Sequence, residues 1–295
     1  MAENFKELEL EPERYEFAYK DFTFTYTKHK GKKTGPLIIL IGGWTSAPGY
    51  WNRNLSYFLK HSDVIILDLL GHFPATIDPS LGQLDFEAFL EAQSAAVLHV
   101  SGKKKPILVG HSTGGLAVLG ITALHPNRIS KTIAIAPVVY GPVVGLFKTA
   151  VLMHRFRVGF IFELGFTATQ TSVKFLEQGF LRGVQNTKKF KNLVGMHSYL
   201  ENYFPYFKQL SGRNMHLMLE MIDRTDLRPL MKDYSSPTLL VRSLVDPIVP
   251  SFSSDHLAKE FPCIKEVLFN QCGHFVHLEE QEEFEKVVTK FLTKT

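Results

Sequence analysis

Ser112 sits in the stretch Ile107–Gly120, ILVGHSTGGLAVLG, fenced by Gly110, Gly114 and Gly115. A free serine hydroxyl is a poor nucleophile near neutral pH and needs a base to take its proton. That base needs a carboxylate to orient it. Gly110-His111-Ser112-Thr113-Gly114 fits the pattern G-x-S-x-G, in which a serine occupies a sharp strand-to-helix turn. Small residues on either side let backbones approach, and the turn lifts the hydroxyl above the strand ends. It also puts the Thr113 amide at a helix N-terminus, where it can donate to a developing oxyanion. A structural serine gains nothing from such a fence.

The chain has 12 histidines, so position has to select the base. His274, in NQCGHFVHLEE, follows the last strand pattern and precedes the last helix. In a parallel sheet the loops after the strands share one edge with the Ser112 turn. His277 is the alternative, but it lies nearer the helix start, whereas His274 adjoins the flexible Gly273. His111 precedes the serine and is expected to point away from it. Asp246, in SLVDPIVP, follows the strand TLLVR and falls at the same edge, so it is the expected acid. Its bland reading is a turn or cap residue. Asp223 and Asp226 compete, but their charge-rich helical segment reads as a solvated face. A second oxyanion donor is expected from the loop IGGWTSAPGYW, with the Trp44 amide as donor and its indole walling the pocket.

These residues need a scaffold. PLIILIGG, DVIILDLLG, PILVG, KTIAIAP, SPTLLVRSLVD and IKEVLFNQCGH read as strands, most of them buried on both faces. Helical spacing separates them, with one helix over Thr113–Leu124 and an amphipathic one, LEEQEEFEKVVTKFL, at the end. YEFAYKDFTFTYTKH reads as a hairpin. The expected class is α/β, a mostly parallel doubly wound sheet with helices on both faces. Between Val138 and Asp233 no buried-strand pattern occurs. Helical stretches dense in Phe, Leu and Met fill this gap, including Phe147, Met153, Phe156, Phe160, Phe162, Phe166, Phe175 and Phe180. The expected organisation is a core over residues 1–137 and 234–295, with a helical cap over 138–233.

Composition bounds the function. Of 295 residues, 45% are apolar and 21% charged, as in a folded globular chain. The net charge of +4 comes without a basic block beyond GKKTG and GKKKP, which read as solvated loops. Nucleic acid is therefore not an expected partner. Cys263 and Cys272 read as reduced thiols, and the acidic, polar start does not resemble a secretory signal, so a cytoplasmic protein is expected. No cofactor is expected, and no ligand cluster with metal spacing is visible. Lys148, Arg155 and Arg157 among apolar cap residues are compatible with weak contact at a membrane surface, though solvated cations on an ordinary helix are the simpler reading. The pattern leaves oligomeric state open.

GHSTGG, the chain order Ser, Asp, His, the closing GHFVHLEE and the acid loop SLVDPIVP together resemble the alpha/beta-hydrolase fold family, over about Leu37 to the C-terminus. DLLGHFPAT resembles that family's D-x-x-G-H-G stretch, with Phe73 replacing the second glycine. The resemblance implies Ser112 as nucleophile, Asp246 as acid, His274 as base, and the Trp44 and Thr113 amides as oxyanion hole. Gly42-Gly43 replaces the family's usual His-Gly, removing an imidazole that commonly braces that loop. A serine at the elbow argues against opening epoxides or displacing halide, for which relatives use an aspartate. What the resemblance implies is a carboxylesterase or lipase-like hydrolase, and a cap rich in Phe, Leu and Met with few acids points to a small apolar ester or acyl substrate. Thioester or carbon–carbon cleavage, or a receptor-like member with little turnover, are the alternatives. Trp44, His111, Phe73, Phe147 and Met153 are the expected substrate contacts.

Overall fold

The computed structural model describes residues 13–32, 35–155 and 159–293. Outside the described residues lie the acidic start up to Pro12, Lys33 and Thr34 of the first basic loop, Phe156 and Arg157, and the side chains of Met153 and Arg155.

The N-terminal strands β1 (Arg14–Tyr19) and β2 (Phe22–His29) form the expected hairpin, turning at Lys20 and Asp21. Lys20 takes the left-handed backbone (φ 51°) that such a two-residue turn demands. Phe22, Phe24 and Tyr26 are buried, as the alternation predicts. Thr25 and Thr27 are buried as well, because β2 is an inner strand and β1 the edge. The Thr25 hydroxyl uses its burial to donate to Asp68 Oδ2 at 2.7 Å.

Strands β3 (Ile38–Ile41), β4 (Val64–Leu67), β6 (Ile107–His111), β7 (Lys131–Ile135), β8 (Thr238–Ser243) and β9 (Ile264–Phe269) are parallel; a short β5 (Thr76–Ile77) pairs with β2. The nine-stranded sheet runs β1-β2-β4-β3-β6-β7-β8-β9. β3 shows why its sequence is continuously apolar. Ile39 and Ile41 face the layer of α2 (Phe86–Ser101) and α3 (Thr113–Leu124), while Ile38 and Leu40 face the layer of α1 (Asn52–Leu59) and the C-terminal helices. From β3 the chain first winds to β4 and then returns across to β6. The loops after β3 and β6 therefore diverge from one switch point, where open α/β sheets hold their ligands.

Between β7 and β8 come α4 (Gly145–Arg155), α5 (Gly159–Thr169), α6 (Val173–Leu181), α7 (Thr187–Lys191), α8 (Met196–Phe207) and α9 (Gly212–Arg224). α9 is continuous with the sheet's own core: Leu217, Met218, Met221 and Ile222 join the α2–α3 cluster. Before β9 the chain forms a 3-10 turn at Ser251–Ser253 and the four-residue α10 (Leu257–Glu260). The final amphipathic stretch splits into α11 (Val276–Glu279) and α12 (Gln281–Leu292), with Glu280 out of helical conformation between them. Among the described residues, no helix is long and apolar enough to cross a membrane.

Candidate active site

Ser112 joins β6 to α3 with φ 55° and ψ −115°, a region that costs a non-glycine residue about 1–3 kcal/mol. The glycine fence explains how the strain is held. A Cβ on Gly110 would lie 2.1 Å from the Gly114 carbonyl oxygen, and one on Gly114 would lie 2.4 Å from that of Gly42. The elbow and the loop after β3 thus touch backbone to backbone. The Ser112 amide donates to Ile135 O (2.8 Å) and its carbonyl accepts from Leu116 N (3.0 Å), which leaves the side chain to the cavity above.

His274 is fixed on three sides. Its amide donates to Gly183 O (2.6 Å), its carbonyl accepts from His111 Nε2 (3.1 Å), and its Nδ1 donates to Asp246 Oδ2 (2.7 Å). The His274 and Asp246 side chains are each 4% exposed. Asp246 Oδ1 accepts the amides of Ile248 (2.8 Å) and Val249 (2.9 Å). One carboxylate oxygen of Asp246 thus makes the turn contacts and the other makes the bond to His274. In the tautomer whose Nδ1–H donates to Asp246, the imidazole Nε2 keeps its lone pair. Asp223 is not on a solvated face. It is buried, accepts the Val143 amide (3.0 Å) and pairs with Lys148 (3.3 Å), because it anchors the entry to α4 against α9. Asp226 pairs with the adjacent Arg228.

His277, the alternative base, is fully buried among Tyr50, Trp51, His111 and Phe284. Neither of its ring nitrogens has a hydrogen-bond partner among the described residues, and burial pushes its pKa down to about 3. His111 reaches the cavity floor, but both its nitrogens are engaged: Nδ1 accepts from the Tyr50 hydroxyl (2.7 Å) and Nε2 donates to the His274 carbonyl. Burial, and then the nearby His274 and His277, hold it neutral well below the usual histidine range. It braces the histidine loop with a ring that has no nitrogen left for a ligand.

The loop after β3 is held from below and above. Thr45, at φ 66°, donates its amide to His72 Nε2 (3.0 Å), while its carbonyl accepts the Tyr203 hydroxyl of α8 (2.8 Å). His72 Nδ1 donates to Leu70 O (3.0 Å), and burial pushes the ring down to about 4, which keeps Nε2 an acceptor. An imidazole thus braces this loop after all, from the DLLGHFPAT stretch. The Trp44 indole N–H donates to Met215 O of α9 (2.9 Å), and the ring packs edge-on against Phe147 (5.3 Å between centroids).

Ser112, His274, Trp44 and Thr113 line one cavity of about 670 Å³. Its other wall is aromatic and aliphatic, with Phe147, Phe162, Phe166, Phe180, Phe207 and Leu219. Of the expected substrate contacts, Trp44, His111 and Phe147 lie in the lining. Phe73 is absent from the described lining and packs partly buried against the Trp51 layer, because His72 turns toward Thr45 and carries the following residue away from the mouth. The Met153 side chain lies outside the described residues.

A family model of the alpha/beta hydrolase fold matches residues 36–281. The chain belongs to this family. Its relatives include a pimeloyl-[acyl-carrier protein] methyl ester esterase of Aromatoleum aromaticum, 24% identical over 84% of this chain and 94% of that protein. A 2-hydroxymuconate semialdehyde hydrolase of Pseudomonas putida is 24% identical over 90% of this chain and 89% of its own. Among solved structures, the enol-lactonase from Burkholderia xenovorans LB400 superposes with a TM-score of 0.75 at 18% identity, covering 95% of this chain and all of that one.

Sequence reasoning did not assign several supports of this alpha/beta-hydrolase site. Glu279, in the closing GHFVHLEE, accepts the amides of Gly273 (2.8 Å) and Gln185 (3.1 Å), so one buried carboxylate ties the histidine loop to the segment after α6. The motif contained that signal. Tyr50 and Tyr203 carried none, because their partners lie far away in the chain.

Proposed function

We propose that this alpha/beta hydrolase cleaves carboxylic esters with an apolar acyl chain through an acyl-enzyme on Ser112. His274 Nε2 takes the Ser112 proton as the hydroxyl attacks the ester carbonyl. Asp246 holds the imidazole in the required tautomer and stabilises its cation. The amides of Trp44 and Thr113 stabilise the oxyanion, the alcohol leaves with the proton from His274, and water then cleaves the acyl-enzyme by the same route. The observation that carries this reading is the 2.7 Å His274–Asp246 bond beside a strained Ser112, all on one apolar cavity.

The cavity favours an apolar ester over the dianionic substrates named for some relatives. Apart from histidines, Arg182 is the only charged residue among its described lining. A dienedioate, the substrate named for one such relative of Dechloromonas aromatica, would bring two carboxylates to that lining. An ester with a hydrocarbon chain is matched by it. Helices α4–α9 would act as the cap, and most of the wall opposite Ser112 comes from them.

The test is hydrolysis of p-nitrophenyl esters of graded acyl length by wild type and Ser112→Ala. Turnover that peaks at one chain length and is lost in the variant supports the reading. Equal rates in both proteins on every ester would sink it.

A further inference from the structure

α5 is apolar on two faces. Phe162 and Phe166 point into the cavity lining, while Phe160 (60% exposed) and Leu164 (65%), one turn apart, face solvent with Ile161. Glu163 is the only charged residue in its eleven. A helix apolar all round is normally covered on all sides, so the outer face of α5 lacks a cover. Neighbouring helices extend the face: Phe175 of α6 is 55% exposed, and Leu152 of α4 is also exposed. Contiguous exposed surface of this kind marks an interaction site.

The face surrounds the cavity mouth. Val144, Ile161, Phe175 and Phe252 are both exposed and part of the cavity lining. Charge decides what fits there. By sequence, residues 145–182, from the start of α4 to the C-cap of α6, carry five Lys and Arg against two Glu, a net of +3, while the rest of the chain carries 28 against 27, a net of +1. A second copy would bring like charge against like. Anionic lipid headgroups around hydrocarbon supply the complement to both the charge and the apolar face.

We propose that the α4–α6 face docks on an anionic lipid surface, with Phe160 and Leu164 inserted at the headgroup–acyl boundary and the cavity mouth opening onto the acyl layer. An acyl chain would then pass from lipid to cavity without crossing water. The inference goes beyond the ester-cleaving reading and stands apart from it.

The experiment is co-sedimentation of the full-length protein with phosphatidylcholine vesicles, with and without phosphatidylglycerol, at low and high salt. Wild type is compared with Phe160→Ser/Leu164→Ser, neither of which lines the cavity. The expected result is binding that grows with phosphatidylglycerol, weakens with salt, and drops by about tenfold or more in the double variant, whose melting temperature stays at the wild-type value. No binding to either vesicle, or binding undiminished in the double variant, would overturn the proposal. So would a dimer seen by light scattering that the double variant abolishes, which would assign the face to a second copy. The readout is protein bound to lipid, not turnover, so loss of the ester reading and loss of this proposal are separate results.

Discussion

The two walls of the cavity are built by different means. The strand-side wall, around Ser112 and the loop after β3, is backbone packed on backbone, with glycines where any Cβ would collide and hydrogen bonds at each turn. The helical wall of α4–α9 is side chain packed on side chain, and several of its large apolar groups face solvent. The first arrangement tolerates almost no change of atom position. The second tolerates change in volume and shape. The contrast suggests that reactivity is set on one wall and substrate choice on the other.

The sharpest way to break this contrast is on the strand side. Asp246→Asn should leave the fold in place but favour the wrong His274 tautomer, cutting kcat on the best ester by about 10³–10⁴-fold. Loss of less than tenfold in steady-state assays would remove Asp246 from the mechanism. Gly114→Ala should cost on the order of 3 kcal/mol of stability, because the new methyl meets the Ile41 and Gly42 carbonyls, which cannot move independently. Chemical denaturation measures it; a cost below about 1 kcal/mol would show that the elbow relaxes.

The pH dependence tests the buried histidines behind that wall. His277 has a folded pKa of about 3 against an ordinary 6.5, so the folded state favours its neutral form. The associated stability is complete above pH 6.5 and is lost as pH falls, by on the order of 3 kcal/mol between pH 7 and pH 4. His277→Leu removes that titration and leaves no hydrogen bond unmade, since neither ring nitrogen has a partner among the described residues. It should flatten the fall in unfolding free energy with acid while changing little at pH 7. His72 still contributes in the same direction, and Asp68, raised to about 6 by burial, contributes in the opposite one, so part of the slope should persist.

The helical wall should respond in kind rather than in degree. Phe166→Ala enlarges the cavity and should move the preferred acyl length upward, shifting the ratio of long- to short-chain kcat/KM by about tenfold while short-ester turnover persists. An unchanged profile would detach α5 from substrate choice. The smallest effect is expected where the walls meet. Tyr203→Phe deletes the bond from α8 to Thr45 O, which should lower kcat a fewfold and stability by about 1 kcal/mol. A kcat loss with no change in melting temperature would show that the bond positions the loop rather than stabilising the fold.

The same contrast governs what was legible in the sequence. The parallel strands, the elbow and the loops carrying His274 and Asp246 announce themselves through local pattern, because each is determined by residues adjacent in the chain. β3 reads as apolar on both faces because it is buried on both. The places that departed from expectation depend on distant partners. Asp223 looks solvated until Val143 and Lys148 arrive from α4, and Phe73 leaves the entrance because His72 is drawn to Thr45. His111 is visible in the motif, but its role as a brace needs Tyr50 and the His274 carbonyl. The final helix looks continuous, yet it breaks at Glu280, next to the Glu279 carboxylate that serves Gly273 and Gln185.

The contact between Gly183 and Gly273 bears on how this molecule can be re-engineered. A Cβ on Gly273 would lie 2.2 Å from the Gly183 carbonyl, the same oxygen that accepts the His274 amide. Helices α4–α9 are therefore not an interchangeable module. A chimera carrying a foreign insertion must supply, in register after its own equivalent of α6, an acceptor for that amide and room for the glycine. Grafts that keep residues 182–185 should retain activity that grafts cut inside them lose.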